Sequence, residues 1–233
     1  MKNILKLLSA VIMVTAISCT KDNNSGINTG ISLTFKGTTA LPGIKKSLNT
    51  EGFTFTEALL GIKEIEIKKV GDVSNNDGKF DFDKNYIVDL LAGTTTPAFG
   101  TSEFLPGRYN KLESKTSNLL DGGNSVSLKG TYADNVGTTY KFEFSSTSVF
   151  KFEVESDTGF ILSEGTIFSM LVNVTLPVFF QGVDFSKAAV NSSGIIVIND
   201  ISNIPMSEII KSNINLVADM EDENESEHDT GHH

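Results

Sequence analysis

The chain of 233 residues has one cysteine, no tryptophan, five prolines and three histidines. One cysteine cannot close an internal disulfide, so the fold has to hold on its core alone. His228, His232 and His233 all fall at the C-terminal end, which leaves no histidine inside a core for a Ser-His-Asp or Cys-His pair or for a His-ligated catalytic zinc. The lack of tryptophan, with only four tyrosines, weighs against the aromatic platforms on which many sugar-binding modules stack. Positive charge is short as well: 19 Lys and Arg stand against 29 Asp and Glu. No basic stripe replaces condensed counterions, and nucleic-acid binding is excluded. The apolar run Leu7 to Ile17 falls well below the roughly 20 residues a spanning helix needs, so this is not a multi-pass membrane protein.

That same run has the anatomy of an export signal. Lys2 and Lys6 precede or flank it, and a small residue, Ser18, comes directly before Cys19. The order of charge, apolar run, small residue and cysteine resembles a bacterial lipobox, although Ala16 stands where leucine is commoner. The resemblance implies cleavage of residues 1–18 and acylation of Cys19 by a diacylglyceryl group and an amide-linked chain such as palmitate. At about 0.8 kcal/mol per buried methylene, several chains hold a protein on a bilayer without spanning it. Loss of the two lysines would take the net charge from −10 to −12. Residues 19–29 are polar beyond the cysteine and read as a flexible tether.

From residue 30 the apolar period becomes two, which is the period of a half-buried strand. Ile31, Leu33 and Phe35 alternate with polar neighbours, as do Tyr140, Phe142 and Phe144, and Phe150, Phe152 and Val154. The last two sets are separated by Ser145 to Ser148 and are expected to form a hairpin. Further strands are expected at Val126–Tyr132, at Phe168–Leu176 with Pro177 closing it, at Ile195–Ile198 with both faces covered, and through Ile214, Leu216 and Ala218. The stretch 57–70 fits both periods and is read as a long strand with an irregularity near Gly61. Helix signals are confined to 205–212, with Pro205 in a first-turn position, and to one turn at 184–189. The expected fold is all-β: an antiparallel β-sandwich of immunoglobulin or transthyretin-like type over residues 30–220, with one or two short helices. A division into two sub-sandwiches would fall near 118–125.

"YIVDLLAGT" (86–94) followed by "LPGRYNKLE" (105–113), with "VFFQGVDFSKA" (178–188) and "IIVINDISN" (195–203), resembles a Bacteroidetes cell-envelope lipoprotein family known only as a domain of unknown function. Its marks are an Asp-Leu-Leu strand end and a Pro-Gly-x-Tyr strand start. The resemblance implies a fold and an envelope address, an outer-membrane lipoprotein on the periplasmic or cell-surface face. It carries over no catalytic residue.

The candidate sites are few. Glu143, Glu153 and Glu155 alternate outward beside Lys141 and Lys151 and read as a solvated strand face. Asp77, Asp81 and Asp83 in "DVSNNDGKFDFDKN" suggest calcium, but with Gly78 as the loop glycine, Val73 and Lys84 occupy ligand positions. The tail 221–233 is acidic and poor in apolar residues, reads as disordered, and with His228, His232 and His233 offers loose ligands to a transition metal. No cofactor and no catalytic constellation is expected. The resulting expectation is a membrane-anchored binding or structural module for a protein partner. A glycan-binding module or a metal-buffering lipoprotein stands second, and a hydrolase of envelope polymers last.

Overall fold

The computed structural model describes residues 29–39, 52–70, 79–80 and 85–219. Cys19, the calcium candidates Asp77, Asp81 and Asp83, and the tail histidines His228, His232 and His233 lie outside the described residues. The described chain is mostly β, in two sheets with one helix. Its strands are β1 (Gly30–Thr38), β2 (Phe53–Lys69), β3 (Lys79–Phe80), β4 (Tyr86–Asp89), β5 (Thr94–Thr96), β6 (Thr101–Glu103), β7 (Gly107–Thr116), β8 (Val126–Ala133), β9 (Thr139–Ser146), β10 (Lys151–Leu162), β11 (Ile167–Thr175) and β12 (Ile195–Ile198). The helix α1 (Ile204–Asp219) follows.

The larger sheet runs β10-β7-β2-β8-β9-β12, with β3, β4 and β5 attached through β2 and β4. The 17-residue β2 is its spine. Leu59 and Leu60 pair with β4 and β8 together, while Ile62 pairs with β4 and β7 together. Thus β4 holds one edge of β2, and β7 and β8 succeed one another along the other. The handover occurs at Gly61, where the chain 117–125 loops out: Ser117 N–H donates to the Gly61 carbonyl and Gly61 N–H to that of Ser125. A Cβ on Gly61 would meet the Ser117 oxygen at 2.4 Å, so only glycine fits there. The irregularity expected near Gly61 is this change of partner.

The expected hairpin between the strands at 140–144 and 150–154 does not form. Strand β9 pairs with β8, and β10 pairs with β7. Both run in the direction of β2, one after the other, because Ser145–Ser148 carries the chain onward without reversing it. The Ser125 hydroxyl, donating to the carbonyls of Ser146 and Ser148, and Phe150 N–H, donating to the Thr116 hydroxyl at 2.7 Å, hold this crossing in place.

The smaller sheet is β11-β1-β6, with β1 parallel to β11. Strand β12 is also parallel to β9, so the sheets are mixed, not wholly antiparallel. Ile196 and Ile198 are buried but Ile195 and Val197 only half so. The unbroken apolar run is therefore an edge strand, covered fully on one face. Ile31, Leu33 and Phe35 of β1 and Met170, Val172 and Val174 of β11 join Leu60, Ile62, Ile65 and Ile67 of β2 in one hydrophobic cluster.

Residues 214–218, expected as a strand, belong to α1. Met206, Ile210 and Ile214 are buried at four-residue spacing, one face of a helix, whereas a period of two sampled at Ile214, Leu216 and Ala218 mimics a strand. Pro205 sits in its first turn as expected. The single turn expected at 184–189 is a 3-10 turn, Phe185–Lys187. Among the described residues no helix is long and apolar enough to cross a membrane.

Candidate functional site

A cavity of about 370 Å³ lies where β8 ends and β9 begins, with the segment Phe180–Ser186 along its wall. Antiparallel register sets Tyr132 of β8 opposite Tyr140 of β9 and Phe53 of β2 opposite Tyr132, so three aromatic side chains share one face of neighbouring strands. The segment above supplies Phe180 and Phe185. Ring centroids stand 4.7 Å apart for Phe53 and Tyr132, 5.0 Å for Tyr132 and Phe185, and 5.2 Å for Phe53 and Phe180. Phe142 backs the cluster at 4.8 Å from Phe180.

Two carboxylates sit on the rim. Asp134 begins the turn between β8 and β9 and accepts hydrogen bonds from Thr138 N–H at 2.7 Å, Val136 N–H at 3.0 Å and the Tyr140 hydroxyl at 3.2 Å. Desolvation pushes its carboxyl up, but the donors of Thr138, Val136 and Tyr140 outweigh it and hold the group below its ordinary value. Asp184 caps the 3-10 turn, accepting from the hydroxyl and N–H of Ser186, and pairs with Lys187 at 2.9 Å. These contacts also lower its pKa. Desolvation, then the Asp134 charge, raises the Tyr140 hydroxyl, which stays protonated. The result is an aromatic floor, two ionised carboxylates, and no basic side chain among the lining residues.

The segment that closes the cavity is held from behind. Asn213 of α1 donates through Nδ2 to the carbonyls of Phe179 at 2.9 Å and Gln181 at 2.8 Å. Phe180 and Gln181 are thereby fixed by a helix whose own buried face is anchored in the core.

A second polar cluster lies on the large sheet. Glu66, Glu113 and Glu153 stand directly opposite one another across β2, β7 and β10, an arrangement that like charges alone would disfavour. Lysines two positions along each strand relieve it: Lys68 reaches Glu113 at 2.5 Å, Lys151 reaches Glu153 at 2.5 Å, and Lys111 contacts Glu153 and lies 3.5 Å from both Glu113 and Glu155. Glu153 is 4% exposed, which corrects the expectation of a solvated face: lysine stems cover it. Among the described residues no group of three or more His, Cys, Asp or Glu is gathered to hold a metal.

Of the residues weighed from the sequence, Glu143, Glu153 and Glu155 do not line the cavity, and the expected site residues Cys19, Asp77, Asp81, Asp83, His228, His232 and His233 lie outside the described residues. The cavity's own members, Tyr132, Asp134, Tyr140 and Phe185, carried only one visible signal: two tyrosines flanking a polar Asp-Asn-Val-Gly turn. No protein-family model, curated protein or solved structure matches the chain.

Proposed function

We propose that this protein is a membrane-anchored lipoprotein of the cell envelope, placed at the outer membrane through acylated Cys19, whose domain binds a protein partner. The domain is read as a β-sandwich of immunoglobulin or transthyretin-like type, a reading supported by the single cluster in which the inner residues of both sheets meet. The observation that carries the binding role is the cavity. An aromatic floor edged by two ionised carboxylates suits a lysine or arginine side chain offered by a partner, because ring faces and carboxylates both attract a cation.

A glycan is the second reading, favoured by one observation: two of the four tyrosines line this cavity. Arrays of basic peptides and of glycans, probed with the full chain, separate the two. Binding of Lys- or Arg-bearing peptides, weakened about 10- to 100-fold in Asp134→Asn by the loss of one charge-assisted hydrogen bond of about 1.5–3 kcal/mol, is the expected result. Binding of glycans alone moves the assignment to the second reading. Peptide binding unaffected by Asp134→Asn and Asp184→Asn places the partner elsewhere and overturns the assignment of the cavity.

A further inference from the structure

We infer that the end of the domain where the chain comes in rests on the lipid surface, so that β2 holds the cavity away from the membrane. The inference rests on the lipid-anchored reading and adds an orientation to it.

Thr29 fixes the place where the tether joins the domain. Its carbonyl accepts from Phe104 N–H at 3.0 Å and its hydroxyl from Gly165 N–H at 2.7 Å. Among the described residues, four of the twelve exposed large aliphatic side chains are set around this point: Leu105 (67% exposed), Ile161 (63%), Val70 (49%) and Ile167 (41%). Leu105 follows Phe104, and Ile167 pairs with Gly30. Ile161 pairs with Arg108, whose carbonyl accepts from Val70 N–H. Beneath them Phe160 stacks on Phe168 at 4.3 Å and on Tyr109 at 5.7 Å, so the aliphatics stand on a rigid base. Lys69 and Arg108 lie among them, and so do Glu103 and Glu164. With these four charges balanced among the described residues, the apolar side chains carry the attraction.

Reach decides between orientations. Ten residue steps separate Cys19 from Thr29, at most about 33–36 Å of chain and roughly 17 Å on average for a flexible one. Strand β2 starts at Phe53 in the cavity and ends at Lys69, opposite Tyr109, beside the Thr29 end. Its sixteen steps span roughly 50 Å at about 3.3 Å each. A domain standing on its cavity would put Thr29 farther from the bilayer than the tether extends. The end with Leu105 and Ile161 is the one the tether brings to the surface.

The test uses the full acylated chain in liposomes of neutral phospholipid. Once Cys19 is acylated, Ile161→Cys and Val136→Cys each introduce the only free thiol; Val136, 87% exposed, lies in the turn beside the cavity. Each is labelled with a fluorophore and read against lipid-borne nitroxide quenchers. The expected result is quenching several-fold stronger at position 161 than at 136, little changed by salt, and reduced by Leu105→Ser with Ile167→Ser while the protein stays on the liposomes. Equal quenching at both positions of a liposome-bound, acylated chain overturns the orientation and leaves the lipoprotein reading standing. An N-terminal peptide whose mass shows no acyl chains overturns both.

Discussion

Removing Lys111 tests how the charged cluster on the large sheet is built. In Lys111→Met the stem that helps cover the sheet is kept and the ammonium is lost. Glu153, 4% exposed, keeps Lys151, while Glu113 keeps Lys68 and Lys151. Stripping one partner from a buried charge typically costs 3–5 kcal/mol, and the remaining lysines put this case at the low end, about 3 kcal/mol. For a domain of this size that lowers Tm by roughly 6–12 °C. Since the chain has no tryptophan, unfolding is best followed by far-UV circular dichroism in urea, on the full chain. The double variant Lys111→Met with Glu153→Leu should recover part of the loss, because an apolar pair leaves no buried charge behind.

The same cluster sets a pH dependence whose sign follows from its partners. Burial opposes ionisation of Glu113, but the hydrogen bond from Lys68 and the charges of Lys151, Lys68 and Lys111 hold its carboxyl below the ordinary 4.5. Its stabilising contribution is therefore full above about pH 4.5 and lost as pH falls through the lower folded value. Burial disfavours the Lys111 charge, yet Glu153, Glu155 and Glu113 hold it above its ordinary 10.5, so that contribution is full below pH 10.5 and fades only in stronger alkali. The gap between the parent chain and Lys111→Met should be widest between these limits and narrow in acid. A loss below about 1 kcal/mol at neutral pH, the size of an exposed pair, refutes the reasoning.

Two further substitutions probe the elements that shape the cavity. Gly130→Ala would place a Cβ 2.2 Å from the Thr54 carbonyl oxygen, opposite the bulge between Phe55 and Glu57; a loss of about 3 kcal/mol in urea unfolding is expected, and an unchanged midpoint contradicts it. Asn213→Ala leaves the carbonyls of Phe179 and Gln181 without their donor, a loss of about 1–2 kcal/mol. It should also speed hydrogen exchange at Val183 N–H, which bonds the Phe180 carbonyl, whereas unchanged exchange there means α1 does not hold the segment.

The strands with apolar residues at every second position were legible because burial of one face enforces a period of two: β1, β8, β9, β10 and β11 fall where Ile31, Leu128, Phe142, Phe152 and Val172 place them. Pairing was not legible. The Ser145–Ser148 link has the length and polarity of a hairpin turn, and nothing local distinguishes reversal from continuation when the deciding contacts are Ser125 with Ser146 and Thr116 with Phe150, 21 and 34 residues apart. The helix was half legible: Pro205 marked its start, but Met206, Ile210 and Ile214 are too sparse a stripe to overrule a two-residue period at its end. The cavity escaped for the same reason as the pairing. Phe53, Tyr132 and Phe185 touch only after β2, β8 and the closing segment are in place, and single aromatics in strands signal core.

The pairing that local sequence concealed is what gives the domain its height. Strand β2 rises roughly 50 Å over its sixteen steps, and β8 with β9 extends the sheet beside one part of it while β7 with β10 does so beside the other. Because β8 follows β7 and β10 follows β9 along a single long β2, the cavity and the Thr29 end lie at opposite ends of that strand, and on the lipid-anchored reading proposed above a ten-step tether is shorter than the strand. On that proposal the serine link at 145–148 and the glycine at 61 would act on binding from a distance, by setting which way the aromatic site faces.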